Sequence, residues 1–312
     1  MFQVASHPAA FHLREKRDPP AHRRPSYDYA APAPAPQQQQ ALQLPRTLAR
    51  PPFTDISRDA LVAAAPELAA VPAEFIRHGL RAKGPHMQAG IAALAPSHLP
   101  VSLPRDRLPP ALRIPLCAPP PGAPAPPSYP THALAIGLPV SKSSPSPADA
   151  PQAVFPVHAV VLAAHCAKLP RLPPASPPSS RSSSITLPVL PLALPSPQAF
   201  AILHAYMYTH RIDAALGSLL PLPSAFLSSL ASSQDPSVAL SAALARPSTR
   251  HALSEHLLAA AGTSLSALMA HAGHVKELWQ DMVALGVYDP ALWAGVDLAW
   301  EVVLGAMNLG VQ

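Results

Sequence analysis

The stretch VFPVHAVVLAAHCAKLPRL, residues 154–172, is the part of this sequence on which the fold class depends. Residues 153–158 (AVFPVH) predict a short β-strand. Residues 159–169 (AVVLAAHCAKL) predict a helix that ends before Pro170, because proline cannot continue a helix interior. Apolar residues form two adjacent stripes on this helix, and one stripe contains Leu162. A sheet and a second helix are needed to cover both stripes, so we expect Leu162 to lie in a shared core.

The flanking segments provide that sheet and that helix. Residues 131–140 (THALAIGLPV) alternate apolar residues, as a strand does. Residues 185–190 predict a further strand, which Pro188 confines to a sheet edge because proline cannot donate to a central ladder. Residues 197–212 predict a helix with Phe200 on its apolar face. We expect Phe200 to lie in the same core as the preceding helix.

Helix signals are clearest after Ser196, a favourable N-cap residue followed by proline at the first helical position. Apolar residues recur at intervals of three and four over residues 274–307, which predicts helices there. Gly286 ends one helix, and Asp289 with Pro290 starts the next. Three tryptophans fall on the apolar faces of these helices: Trp279, Trp293 and Trp300.

Proline and low charge mark the rest of the chain as poor in regular structure. The sequence has 45 prolines and 12% charged residues, whereas an ordinary soluble protein has about 25% charged residues. Shorter helices are predicted from Ser57 through Ala65 and over residues 71–80, the second ending near Gly79. The loops 141–152 and 173–184, rich in serine and proline, are expected to be flexible.

The sequence therefore predicts an α+β, mostly helical protein with long disordered proline-rich segments. Its parts in chain order are a disordered basic tail (1–52), short helices (53–99), a proline-rich linker (100–130), a segment with strands and helices (131–213) and a C-terminal helical region (214–312).

The net charge of +5 is unevenly distributed. Residues 1–50 contain seven Lys or Arg against three acidic residues, whereas residues 250–312 contain two against six. We therefore expect no direct nucleic-acid binding by the folded part. Cys117 and Cys166 form no framework, and the sequence shows neither a secretion signal nor a membrane span. The expected location is intracellular, nuclear or cytoplasmic.

Motifs of catalysis and cofactor binding are missing from the sequence. No GxGxxG, GxxxxGK[ST] or GxSxG occurs, and the histidine groupings (His271 with His274; His158 with His165 and Cys166) lack the spacing of a metal site. Glu277 and Asp281 are expected on a solvated helix face. We therefore predict a non-enzymatic protein without cofactors.

Three sets of residues are candidates for interaction or regulation. Pro126, Pro127 and Tyr129 belong to a P-P-x-Y motif that fits the groove of a WW-domain protein, or are simply part of a linker. Lys16, Arg17, Arg23 and Arg24 form a candidate nuclear import signal, or a solvated tail. Ser144, Ser146 and Ser176 precede prolines and are candidate phosphorylation sites, or solvating linker residues.

Residues 154–172, 185–189 (ITLPV) and 197–213 (PQAFAILHAYMYTHRID) resemble the centre of a BTB/POZ domain. The resemblance is divergent: Cys166 to Leu169 replaces the usual Ser-x-x-Phe, and the loop before Ile185 is long. It implies a protein-interaction domain, with self-association as a homodimer. It also implies an alternative function, that of a substrate adaptor for a cullin ubiquitin ligase.

A wider resemblance covers most of residues 50–312. The proline-rich middle, residues 154–172 and the segment HAGHVKELWQDMVALGVYDPALW, residues 271–293, are similar to clampless-type proteins of basidiomycete fungi. This resemblance implies a regulator of sexual development that is needed for clamp-cell formation and acts downstream of mating-type homeodomain factors. The implied partners are proteins, including transcription factors of the mating-type pathway.

Overall fold

The computed structural model describes residues 44–117, 127–139, 150–175 and 182–311. Within these ranges the protein is α+β and mostly helical, as predicted. The described strands are β1 (Ser102–Pro104), β2 (Ala111–Pro115), β3 (His132–Gly137), β4 (Pro151–Val157) and β5 (Ser184–Ala193). The described α-helices are α1 (Arg58–Ala64), α2 (Ala73–Ala92), α3 (Ala159–His165), α4 (Pro197–Thr209), α5 (Ile212–Leu219), α6 (Ser224–Ala231), α7 (Pro236–Ala245), α8 (Pro247–Ala260), α9 (Leu265–Leu285) and α10 (Pro290–Gly310).

The five strands form one sheet in the order β1-β4-β3-β5-β2. The central strand β3 pairs antiparallel with β4, where His132 lies opposite Val157. It pairs parallel with β5, where Ala133 lies opposite Val189. Every residue of β3 is buried, so this strand is covered on both faces, as expected for the middle of a sheet between two layers.

The prediction of a linker over residues 100–130 was wrong for its first half, because β1 and β2 lie there. β1 pairs with β4, and β2 pairs with β5. These short strands occupy the two ends of the sheet, where proline is tolerated because one side of the strand needs no ladder partner. A high proline content therefore did not exclude strands at these positions.

The prediction that Pro188 confines its strand to an edge was also wrong, because β5 lies between β3 and β2. Pro188 is the last residue of β5 that pairs with β2, opposite Ala111. Pairing with β3 begins at the next residue, Val189. The missing amide N–H of Pro188 therefore falls where one ladder ends and the other begins.

Helix α3 is shorter than predicted and ends at His165. Beyond it, Cys166 pairs with Val287, and the amide N–H of Lys168 donates to the carbonyl of Leu285 at 2.9 Å. Cys166 is extended and residues 167 and 168 form a turn. The helix stops here because this backbone is held by the end of α9, a contact distant in sequence.

Helix α2 is longer than predicted and continues through Gly79 to Ala92. A Cβ built on Gly84 would lie 2.0 Å from the backbone oxygen of Tyr208, and one built on Gly90 would lie 1.5 Å from that of Ser128. These glycines are needed for the close approach of α2 to α4 and to residue 128. Packing therefore stabilises a helix that composition alone disfavours.

The predicted helices after residue 196 are confirmed, with their caps. The Ser196 hydroxyl accepts from the amide of Ala199 at 3.2 Å and caps α4. Gly286 ends α9 in the left-handed conformation, with φ of 66°. The Asp289 carboxylate caps α10 by accepting from the amide of Leu292 at 3.0 Å.

Helix α10 lies at the centre of the C-terminal region and packs against α5, α7, α8 and α9. Its two tryptophans, Trp293 and Trp300, are fully buried, as predicted, whereas Trp279 of α9 is half-buried. By length and composition α10 could span a membrane, but 67% of its apolar 18-residue stretch is buried inside the protein. Burial of this kind is equally typical of a core helix.

The sheet packs against side chains on both faces. Ala133, Val154 and Leu187 belong to an apolar cluster on one face. On the other face, the Phe155 ring lies edge to face with the Phe200 ring of α4, with centroids 5.0 Å apart. Leu162 of α3 and Phe200 are both buried, and α3 packs against α4, as the sequence predicted.

The predicted flexible loops 141–152 and 173–184 lie in part outside the described residues, namely at 141–149 and 176–181. Their described ends are structured. β4 begins at Pro151 and β5 begins at Ser184, so both loops are shorter than predicted.

Candidate functional site

Residues 45–53 (PRTLARPPF), named the strap here, lie across helices α9 and α10 without regular secondary structure. The prediction of a disordered tail over residues 1–52 was therefore wrong for residues 45–52, whereas residues 1–43 lie outside the described ranges. Proline favours extended backbone and removes amide donors, so the sequence of the strap suits a segment bound by side chains rather than by a ladder.

Two tryptophan side chains hold the strap by its backbone. The indole N–H of Trp279 donates to the carbonyl of Ala49 at 3.0 Å. The indole N–H of Trp300 donates to the carbonyl of Pro45 at 3.1 Å. One tryptophan comes from α9 and the other from α10, so the strap bridges the two helices.

Arg50 supplies the charged contact of the strap. Its guanidinium forms an ion pair with the Asp297 carboxylate of α10. It also lies over the Trp293 ring, 5.9 Å from the ring centroid, a distance at which a cation is attracted to an aromatic face. The side chains of Arg50 and Asp297 remain 44% and 29% exposed, so solvent screens this pair.

Apolar contacts complete the strap. Leu48 is buried, with 6% exposure. At the other end, the Phe53 ring meets the Tyr288 ring edge to face with centroids 4.7 Å apart. Both rings stay largely exposed, at 57% and 42%. One buried leucine and one exposed aromatic pair therefore anchor the segment.

A polar cavity of about 590 Å³ continues from the strap at Arg46. Residues of α8 and α10 line it, including His251, Glu301 and Asn308. Arg250 and Glu301 form an ion pair in its wall, with the nearest atoms 3.2 Å apart. The surface beside the strap therefore has room for further polar or charged groups.

A second cavity, of about 760 Å³, lies beside the sheet between α1 and the extended chain after α3. Alanine and proline make up half of its lining, and the polar members include Asp59, His132 and Arg171. His132 Nε2 lies 2.7 Å from the Pro173 carbonyl, so this histidine holds the proline-rich wall in place. Burial lowers the pKa of His132, which keeps the ring neutral.

His158 and Tyr208 form a buried polar pair near the end of β4. The amide N–H of His158 donates to the Tyr208 hydroxyl at 3.0 Å, and His158 Nδ1 lies 3.0 Å from the same oxygen. His158 Nε2 lies 3.1 Å from the carbonyl of Ser128. Burial lowers the pKa of His158 and raises that of Tyr208. All polar atoms of the pair are satisfied in neutral forms, so its role is to bind residue 128 to the core.

A second buried polar group is formed by residues at the end of α3, at the end of α4 and just before α10. The Tyr206 hydroxyl donates to Asp289 at 2.8 Å, and the rings of His165 and His210 have centroids 5.2 Å apart. Burial lowers the pKa of His165 to about 3 and also lowers that of His210. Both rings are neutral near pH 7, and neither Nε2 has a hydrogen-bond partner among the described residues.

The prediction of a solvated face for Asp281 was wrong, because its side chain is fully buried. Asp281 Oδ1 accepts from the amide of Ser196 at 3.2 Å, and Oδ2 has no hydrogen-bond partner in the described part of the chain. Burial raises the pKa of Asp281 to about 7. The carboxylate thus joins α9 to the start of α4, an arrangement that helical periodicity alone does not reveal.

Of the candidate residues chosen from sequence motifs, the structure describes Pro127 and Tyr129. Tyr129 of the P-P-x-Y motif is half-buried against the apolar cluster of the sheet, and Pro127 is half-buried. The motif would have to leave this position to enter a WW groove. Pro126 lies outside the described residues, as do the candidate import signal (Lys16, Arg17, Arg23, Arg24) and the candidate phosphorylation sites (Ser144, Ser146, Ser176). Within the described ranges, no three His, Cys, Asp or Glu side chains are grouped as metal ligands.

Both parts of the chain match models of one protein family. Residues 51–195 match the model described as the Clampless protein 1 N-terminal domain, and residues 213–312 match the Clampless protein 1 C-terminal domain. The chain belongs to the Clampless protein 1 family. In this family division, the sheet lies in the N-terminal domain and helices α6 to α10 lie in the C-terminal domain.

Curated members of the clampless family give a weaker and shorter match. Two proteins named Clampless protein 1, from two strains of Cryptococcus neoformans var. neoformans serotype D, are 29% identical to this chain over 139 residues. The match covers 45% of this chain and 24% of the length of each relative. No solved structure matches the chain.

The clampless domain division shows which contacts join the two parts. Helix α4 lies between the two matched ranges, and Ser196 at its start is bound by Asp281 of the C-terminal domain. Arg50 of the strap, just before the N-terminal domain, is bound by Asp297. Sequence reasoning missed both contacts, although the opposite charges of the first 50 residues and the C-terminal region were a signal for the second.

Proposed function

We propose that this protein is a non-enzymatic regulator of fungal sexual development that acts through contacts with other proteins. Family membership supports a developmental role. The finer role is clamp-cell formation downstream of mating-type homeodomain factors, with transcription factors of that pathway as partners. The proposed location is the nucleus or the cytoplasm, where such partners act.

The contacts that hold the strap support a function in protein binding. Helices α9 and α10 hold an extended segment by backbone carbonyls, an ion pair and aromatic contacts. These are the contacts by which aromatic-lined grooves bind proline-rich peptides in trans. The C-terminal domain therefore has the chemistry of a peptide-binding surface.

A BTB/POZ-like core within residues 131–213 is a further part of the proposal. The order β4, α3, β5, α4 supports it, since the resemblance implies a strand, a helix, a strand and a helix in this order. The contact between His158 and Tyr208 joins two positions that carry the resemblance. Such a core would give the protein a surface for self-association or for a partner.

A substrate adaptor for a cullin ubiquitin ligase is the second candidate. This function requires a helical pair directly after the second helix of the BTB/POZ-like core, and α5 and α6 follow α4 directly. A pull-down with a purified cullin tests it. Retention of the cullin would favour the adaptor, and its absence would leave the regulator.

Gene deletion and affinity capture test the main proposal. Deletion should abolish clamp-cell formation, and the full-length chain should restore it. Tagged protein captured from mating hyphae should retain transcription factors of the mating-type pathway, whereas the tag alone should not. Normal sexual development in the deletion strain would contradict the proposal.

A further inference from the structure

We infer that the groove between α9 and α10 binds an extended, arginine- and proline-containing segment of a partner protein, and that the strap is an internal competitor which occupies this groove until the partner displaces it. This inference rests on the proposed function in protein binding. It adds the surface, the chemistry of the ligand and a means of regulation.

The groove between α9 and α10 binds the strap through the strap's backbone. The indole donors of Trp279 and Trp300 bind main-chain carbonyls at Ala49 and Pro45. Any extended segment presents carbonyls in this way, so these two bonds do not require the side chains of the strap. Proline is favoured in such a ligand because it restricts the free peptide to extended conformations and lowers the entropy lost on binding.

The groove also offers a binding place for a positive charge. The guanidinium of Arg50 lies between the Asp297 carboxylate and the Trp293 ring. A planar guanidinium can pair with a carboxylate and stack on an aromatic ring at once, which an ammonium group does less well. Residues 250–312 carry six acidic residues against two Lys or Arg. The preferred ligand is therefore basic, with arginine opposite Asp297.

The strap is held loosely enough for a partner to displace it. Arg50, Phe53 and Tyr288 are all more than 40% exposed. The strap forms neither helix nor strand, so no cooperative ladder has to break when it leaves. A partner that also filled the cavity beside Arg46, about 590 Å³ in volume, would make contacts that the strap does not make.

Binding of a strap peptide in trans tests this inference. The probe is a fluorescent peptide with the sequence of residues 45–53, and its anisotropy is measured with the purified full-length chain. Arg50→Glu in the protein removes the ion pair and the cation–π contact of the internal strap. The native peptide should therefore bind this variant about fivefold to thirtyfold more tightly than the wild type, given the usual strength of these two contacts.

Two variants assign that binding to the groove. Asp297→Arg should bind the native peptide about fivefold or more weakly than the Arg50→Glu protein does. It should prefer a peptide carrying Arg50→Glu. Arg107→Glu makes the same charge change at an exposed residue whose ion pair, among the described residues, is with its neighbour Asp106. This control should bind the native peptide as the wild type does.

Two results would overturn the inference. One is equal affinity of the peptide for the wild type and the Arg50→Glu variant, including no binding to either. The other is equal affinity for the Asp297→Arg and Arg50→Glu variants. Circular dichroism melting of each variant identifies unfolding. Because the assay uses purified components, it can fail while capture from hyphae still finds partners, and the reverse is also possible.

Discussion

The sheet region and the C-terminal helices are stabilised in different ways. In the sheet region, backbone approaches backbone closely, as at Gly90 and Ser128, and the buried side chains of His158 and Tyr208 are paired with each other. In the C-terminal helices, large side chains such as Trp300 fill the core, and one buried carboxylate, Asp281, has an oxygen without a described partner. An atom added at Gly90 should therefore destabilise the sheet region, and removal of a large side chain such as Trp300 should destabilise the helices.

Trp300→Ala should have the largest effect of the changes proposed for this comparison. Trp300 is 2% exposed and at the centre of the C-terminal core. Its removal should lower the free energy of unfolding by about 3–5 kcal/mol, as for other buried large aromatics. Chemical denaturation measures this. Trp279→Ala, at a half-buried position, is the matched control and should cost less; an unchanged stability of Trp300→Ala would mean that its face is not a core.

Gly90→Ala tests the sheet region by adding a single methyl group. The new Cβ would lie 1.5 Å from the Ser128 oxygen, so backbone must move, at a cost of about 1–3 kcal/mol or more. Gly79→Ala on the same helix meets no atom within 4 Å and should stabilise by up to about 1 kcal/mol. Thermal melting of both variants gives the comparison, and similar melting temperatures would contradict it.

A double-mutant cycle tests whether the helices that cover the sheet share one core. Leu162→Ala and Phe200→Ala should each destabilise the protein, since both residues are buried on packed helices. If the two side chains touch, the free energies should be non-additive by about 0.5–3 kcal/mol. Strictly additive free-energy changes would show that the two side chains do not touch. One argument for a BTB/POZ-like core would then be lost.

Asp281→Asn tests a carboxyl group that is fully buried in the helical core, and its effect depends on pH. The pKa of Asp281 is about 7 in the folded protein and about 3.9 when unfolded. The folded state therefore holds the proton more tightly, so the stability from this group is complete below about pH 4 and is lost as pH rises through 7. The asparagine variant should lack this loss and be more stable than the wild type by about 1 kcal/mol or more at pH 8.

Denaturation curves at several pH values measure this effect. The difference between wild type and Asp281→Asn isolates the single group, because the other titrating residues are common to both proteins. A difference that does not change between pH 5 and 8 would show that Asp281 keeps its ordinary pKa of about 3.9. Asp281 would then be solvated, as the helical pattern predicted.

The sequence by itself determined the C-terminal helices, their caps and the central strands. Ser196, Gly286 and Asp289 mark helix ends through bonds to residues a few positions away, and apolar periodicity marks the buried face. These signals are local, so they can be read without a structure. The burial of Trp293 and Trp300 followed from them.

Only the tertiary structure decided the outer strands, the strap and the state of Asp281. Each depends on a partner distant in the chain: β2 on β5, Arg50 on Asp297, and Asp281 on the amide of Ser196. Contacts of this kind leave no periodic mark in sequence. Proline content predicted disorder at β2 and in the strap because a proline-rich segment lacks amide donors. A sheet edge, or a pair of indole donors on another element, can still bind such a segment.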